Sequence, residues 1–160
     1  MIVYVAILTL IFGVIAAALI SVTRAHRHVK SAKSIESAAI TVMESVSREI
    51  RNSESVDEAQ SILDSSPGTL FLNTVDDAGV SHTVHYTSDG TIVNIYRDGV
   101  SLGPLNSGTL AQVTSMIFRK IVAGNSTGVK IEFTVRSGSG PFQRSEDFYT
   151  TAALRRSLSF

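Results

Sequence analysis

The sequence predicts an α+β fold: one long N-terminal helix, transmembrane in its lower half and amphipathic in its upper half, packed against a small antiparallel β-sheet head. Three observations predict it. Met1 to Thr23 holds no charged residue; Val29 to Ile50 repeats apolar residues at steps of three and four; and from Thr69 the pattern changes to period two. With 160 residues there is room for one ordinary domain. Its expected divisions are 1–23 as a transmembrane helix, 24–52 as the amphipathic continuation of that helix, and 53–160 as a β-rich head.

The mean hydropathy of +0.22 is high for a soluble domain, and the excess lies at the N-terminus. At 1.5 Å per residue the uncharged stretch spans about 34 Å, enough for a hydrocarbon layer of about 30 Å. A buried soluble helix would show a polar stripe, which MIVYVAILTLIFGVIAAALISVT lacks. Thr9, Ser21 and Thr23 can bond within their own helix. A cleaved secretory signal is the rival reading. Ala16-Ala17-Ala18 resembles a small-residue cut site, but no basic region precedes Ile2, the apolar run is too long, and helical pattern continues beyond it.

The net charge of zero hides an asymmetry. Arg24, Arg27, Lys30 and Lys33 form a basic membrane collar with no acidic residue among them, so the rest of the chain carries a net charge of minus four. Such a collar suits anionic headgroups, at about 1 kcal/mol per charge near the surface. The mildly acidic remainder argues against a nucleic-acid surface as the work of the head. Without cysteine, disulfides and thiolate metal sites are excluded, and an exported head must stand on packing alone.

Above the collar, Val29, Ala32, Ile35, Ala39, Val42 or Met43, Val46 and Ile50 make one apolar stripe, while Glu36, Thr41, Glu44, Arg48 and Arg51 fall elsewhere. Glu44 and Arg48 form a supportive i,i+4 pair. No proline or glycine interrupts from Val14 to Asn52, so a single rod from Ile2 to Asn52 is expected, about 75 Å long. Ser55 followed by Glu58 resembles a capping box opening a short helix from Val56 to about Leu63. Ser65-Ser66-Pro67-Gly68 reads as a turn.

Six strands are predicted: Thr69–Val75, Val80–Thr87, Thr91–Arg97, Val113–Ile121, Val129–Arg136 and Asp147–Leu154. Turn signals separate them at Asp77-Ala78-Gly79, Ser88-Asp89-Gly90, Asp98-Gly99, Gly124-Asn125 and Ser137-Gly138-Ser139-Gly140-Pro141. Val129, Ile131, Phe133 and Val135 alternate with polar residues, which gives a sheet with one wet face. Its dry face and the helical stripe of Ile35, Ala39, Val42, Val46 and Ile50 need each other, so the sheet is expected to lie across the upper helix. The middle strands are expected to form an antiparallel meander.

With these features assembled, the chain resembles type IV pilin-like proteins, in particular a minor pilin or a type II secretion-like pseudopilin. The residues that carry the resemblance are VYVAILTLIFGVIAAALISVTRA, the helix end ESVSREIRNSESV and the closing FYTTAALRR. It is closest over the N-terminal helix and looser over the head. It implies a subunit of a pilus or pseudopilus that packs by its N-terminal helix into a filament core, with the head as coat. It also implies other pilin-like subunits and the inner-membrane assembly platform as partners. Tyr4, Ile7, Phe12, Gly13, Ile15 and Leu19 would then be filament or membrane packing residues, Gly13 allowing close helix approach or local unwinding. The implied location is the bacterial inner membrane, single pass, with the head outside the cytoplasm.

The family's cleavage glycine and its glutamate a few residues on are not in this chain, which opens at Met1-Ile2-Val3-Tyr4 just beyond where that glutamate would stand. The expectation is a start further upstream; a trimmed chain or an atypical subunit that skips processing are the alternatives. The positive-inside rule applied to Arg24–Lys33 alone would place the head in the cytoplasm. An upstream basic leader would compete with that collar, and the resemblance decides for the outside.

No residue set points to catalysis. His26 and His28 lie about 200° apart around a helix and cannot share one ion; they read as solvated collar residues. His82 and His85, three apart on a strand, point to opposite faces. The serines have no G-x-S-x-G elbow and no histidine–carboxylate constellation. Asp76-Asp77 and Glu146-Asp147 read as solvated turn residues rather than a calcium loop. Gly138-x-Gly140 precedes Pro141 and no helix, so it is no phosphate cradle. The expectation is a structural subunit, not an enzyme, with no cofactor, no metal and no small-molecule substrate, and nucleic acid as partner only in a DNA-uptake pseudopilus. The alternative is a single-pass sensor or ligand-binding module of the cell envelope.

Overall fold

The structure, a computed structural model, describes residues 1–76, 78–124, 126–140 and 143–155, with the side chain of Arg27 outside the description. Asp77, Asn125 and Pro141, each part of a predicted turn signal, also lie outside the described residues.

Helix α1 runs from Ile2 to Asn52 and is continuous through Gly13. It ends where Ser53 turns to extended backbone and its hydroxyl donates back to the Glu49 carbonyl, occupying one of the helix's terminal acceptors. The chain then enters β1 (Ser53–Val56), which pairs with β2 (Thr69–Val75). From β2 a meander continues through β3 (Ser81–Ser88), β4 (Val93–Arg97) and β5 (Val100–Pro104), giving an antiparallel sheet in the order β1-β2-β3-β4-β5. A second antiparallel sheet holds β6 (Gln112–Ala123), β7 (Ser126–Ser137) and β8 (Arg144–Ala153) in sequence order. The α+β class and the meander expected from the period-two pattern are present.

Three details correct the sequence reading. The short helix expected over Val56 to Leu63 does not form. Its first residue, Val56, instead ends β1, in which Ser53 stands opposite Thr74 and Val56 opposite Leu72. Glu58 reaches Lys120 rather than the Ser55 amide, and Asp57 Oδ1 accepts from Ala59 and Gln60 N–H to make a single turn. A two-turn helix gains little beyond its nucleation cost, whereas the open edge of β2 offers a ready ladder. Second, β5 was hidden, because Gly103 and Pro104 obscure its alternation; proline is tolerated there because β5 is an edge strand. Third, the head holds two sheets, not one. Segment 62–69 joins them, Asp64 and Gly68 N–H donating to Phe118 and Met116 carbonyls of β6. A Cβ at Gly68 would stand 3.0 Å from the Met116 carbonyl oxygen, so the close approach favours glycine.

The core lies between the two sheets and the upper helix, with α1 packing on β7, β8 and β2. Strand parity decides which side chains enter. Leu70 and Leu72 of β2, Val84 and Tyr86 of β3, and Val93 and Ile95 of β4 point inward. Asp98 and Gly99 form the two-residue β4–β5 turn with φ of 51° and 79°, the positive values that a tight hairpin requires.

Candidate assembly and membrane surface

Every described side chain from Met1 to Lys30 is exposed. Tyr4 is 72 %, Phe12 64 % and Leu19 64 % exposed, and Ile7 and Ile15 are comparably bare. A Cβ placed on Gly13 would meet nothing within 4 Å. Two hydroxyls of this stretch are met internally: Thr9 Oγ1 donates to the Val5 and Ala6 carbonyls, and Thr23 Oγ1 to the Leu19 carbonyl at 2.9 Å. That is the arrangement hydrocarbon demands. This helix is long and apolar enough to cross a membrane. Arg24, Lys30 and Lys33 of the collar are exposed, as are His26 and His28; Arg27 falls outside the described side chains.

Higher up, one face of the helix is covered. Ile35, Ala39, Val42, Val46 and Ile50 are fully buried, as are Val129, Ile131 and Val135 of β7, with Phe133 2 % exposed. Each of these Val, Ile and Phe side chains contributes about 1.5–3 kcal/mol relative to exposure, and Ala39 less. The head stops short of Val29, which is 67 % exposed, and Ala32 is half-buried. The stripe is therefore longer than its cover. Loops carrying Leu110 and Ser137–Ser139 meet the helix at Lys30 to Ser34.

Two polar ties hold helix and loops in register, and neither was legible in the sequence pattern. Tyr86 is fully buried, and its hydroxyl donates to the Ser45 carbonyl at 3.2 Å, so β3 is bonded to the helix. Burial pushes its phenol well above the ordinary range, against the lowering effect of the Ser45 bond. Asn106, 6 % exposed, accepts from Val93 N–H and donates to the Thr91 and Ala111 carbonyls. This clamps the loop between β5 and β6 to the start of β4.

His82 belongs to a cluster the sequence reading did not expect. Its Nδ1 lies 2.6 Å from Asp98 Oδ2 and its Nε2 3.4 Å from Asp76 Oδ2. Both carboxylates also accept backbone N–H bonds: Asp76 from Ala78 and Val80, Asp98 from Thr83. The Asp98 bond, then the Asp76 bond, raises the His82 pKa. Asp76 is lowered first by the Val80 N–H, and Asp98 first by His82. A histidine–carboxylate constellation therefore exists, but both ring nitrogens face carboxylates. Neither is left to take a proton from a nucleophile, as a catalytic base must. His85 lies on the outer sheet face, stacked between its register partners Phe71 and Tyr96 at 4.4 and 4.6 Å. Burial lowers its pKa. Of the acidic pairs, Asp147 accepts from Thr134 and Glu146 meets Arg144. Among the described residues no group of three His, Asp or Glu side chains is arranged to hold a metal ion.

The arrangement can therefore bury apolar area and offer positive charge beside it. Comparison with protein-family models, with characterised proteins and with solved structures finds no match for this chain.

Proposed function

We propose that this protein is a structural subunit of a type IV pilus or type II secretion-like pseudopilus. In this reading the bare lower helix is held by the inner membrane before assembly and by sister helices within a filament afterwards. The β-rich head is carried outside the cytoplasm. The observation that supports the reading best is the division of one continuous helix: apolar and uncovered on all sides through Thr23, then covered on one side only, by its own two sheets. An apolar rod of that kind is driven to bury its area in lipid or against other rods. Gly13, with open space where a Cβ would be, is where a second helix could approach most closely.

The test is membrane extraction followed by crosslinking in the native cell. The chain is expected to stay with the membrane in alkaline carbonate. Single cysteines at Ile7, Phe12 or Ile15 are expected to crosslink to copies of this chain or to other subunits with apolar N-terminal helices. A chain recovered in the aqueous fraction without detergent would end the membrane reading. A membrane-bound chain that yields no crosslink at any anchor position, and whose head binds a small ligand saturably as a monomer, would favour the envelope-sensor alternative.

A further inference from the structure

We infer that the groove at the membrane-proximal base of the head seats the phosphate of an anionic phospholipid headgroup. The inference rests on the membrane-anchored part of the reading above, and not on filament assembly.

The groove, of about 220 Å³, lies between Lys30, Ser31 and Ser34 of the helix and the loops carrying Leu110, Ser137 and Ser139. Lys30 is seven residues beyond Thr23, a rise of about 10 Å. The headgroup layer reaches about 5–7 Å past the hydrocarbon, and the flexible lysine stem can span the remainder.

Lys30 and the hydroxyl-bearing Ser31, Ser34, Thr109 and Ser139 line the groove beside Ser137, and no carboxylate is among its described lining residues. A neighbouring groove of about 400 Å³ shares Lys30, Ser34 and Leu110, adds Lys33, and again holds no carboxylate. Grooves elsewhere mix charges: one pairs Glu44 with Arg48 and Arg51, another Lys130 with Glu132 and Asp147. A cation with several hydroxyl donors and no competing acceptor matches a phosphate diester. Ser31 sharpens the match. It is 7 % exposed, and its hydroxyl is the one buried side-chain polar atom among the described residues with no hydrogen-bond partner. Rotation about χ1 would turn that donor to an arriving oxygen.

The site is also preformed and amphipathic. Ser137 Oγ donates to the Leu110 carbonyl at 2.6 Å, and Asn106 holds the Ala111 carbonyl, so the loop is fixed before any ligand arrives. Leu110 stands 56 % exposed between the two grooves. It gives the glycerol and upper acyl carbons an apolar contact beside the phosphate site.

The experiment reconstitutes the full chain in nanodiscs of phosphatidylcholine with or without phosphatidylglycerol. It reads the lipids retained in neutral detergent by native mass spectrometry and the unfolding temperature of the head. Retention of phosphatidylglycerol over phosphatidylcholine and a higher unfolding temperature with the anionic lipid are expected. Lys30→Gln is expected to reduce that retention about fivefold, and Ser34→Leu, which fills the groove, to abolish it. Arg24→Gln, the same charge change lower on the collar, is expected to reduce it clearly less than Lys30→Gln does, because Arg24 does not line the groove. Equal retention of the two lipids, or equal losses for Lys30→Gln and Arg24→Gln, would overturn the inference in favour of diffuse attraction. Displacement of phosphatidylglycerol by millimolar inorganic phosphate, with equal stabilisation in neutral discs, would assign the groove to a free anion and overturn the lipid assignment. A chain that does not enter the discs sinks the membrane reading and this inference together. One that enters without lipid preference sinks the inference alone.

Discussion

His82 lies between two carboxylates, and an imidazole can donate through both nitrogens only when it is doubly protonated. Its folded pKa is accordingly raised above 6.5, while those of Asp76 and Asp98 are lowered below 3.8. A raised histidine contributes stability that is complete below its unfolded value and is lost as pH rises through its folded one. Lowered aspartates contribute above their unfolded value and lose it as pH falls through their folded ones. The cluster therefore holds best between the two ordinary values and loosens on either side. The difference in unfolding temperature between the wild type and His82→Asn is expected to be largest near pH 5–6 and to shrink by pH 8–9. A difference that grows with pH would refute the cluster. His85, lowered by burial, acts in the opposite sense, which is why the comparison must be made on the His82 variant. Asn106 is the other decisive residue. Asn106→Leu strips partners from Val93 N–H and two carbonyls, and is expected to cost at least about 2 kcal/mol, lowering the unfolding temperature by about 5–10 °C. An unchanged melt would show that the loop between β5 and β6 is held by something else. Nothing in the sequence announces either residue, because each meets partners that only folded turns bring near.

Between Ile35 and Ile50 the helix is defined by its covered stripe, and β7 by strict alternation; both were legible because one face of each is dry and the period shows it. Replacing Val46 or Ile50 by aspartate would put an unpaired carboxylate where no water reaches, a cost beyond about 4 kcal/mol. Such variants are expected to leave the lower helix in the membrane while the head loses cooperative unfolding and is digested by protease. Unchanged abundance and melting would defeat the packing of helix on sheet. The elements that escaped the sequence reading, β1 and β5, are short strands at the two edges of one sheet. An edge strand is fixed by a single neighbour's ladder, so its own residues need show little periodicity.

For the molecule as a whole, the core of the head and the apolar anchor do not overlap: no described side chain before Ser31 is buried. A chain beginning at Arg24 is therefore expected to be soluble without detergent and to unfold at the temperature of the full-length head, checked by calorimetry or circular dichroism. A large drop in unfolding temperature would show that the lower helix supports the head as well as anchoring it. The uncharged run, the basic collar, the amphipathic stripe and the β-rich remainder were determined by sequence alone, since each is a local matter of charge, period or turn chemistry. The tertiary structure decided what depends on distant segments meeting. It split the strands between two sheets, paired Ser53–Val56 with β2 so that the helix expected from Val56 onward did not open, brought Asp76 and Asp98 to His82, and closed against Lys30 a groove with no carboxylate among its described residues. Periodicity reports which side of an element is dry. Which other element dries it is settled only when chain closure and backbone hydrogen bonding are satisfied everywhere at once.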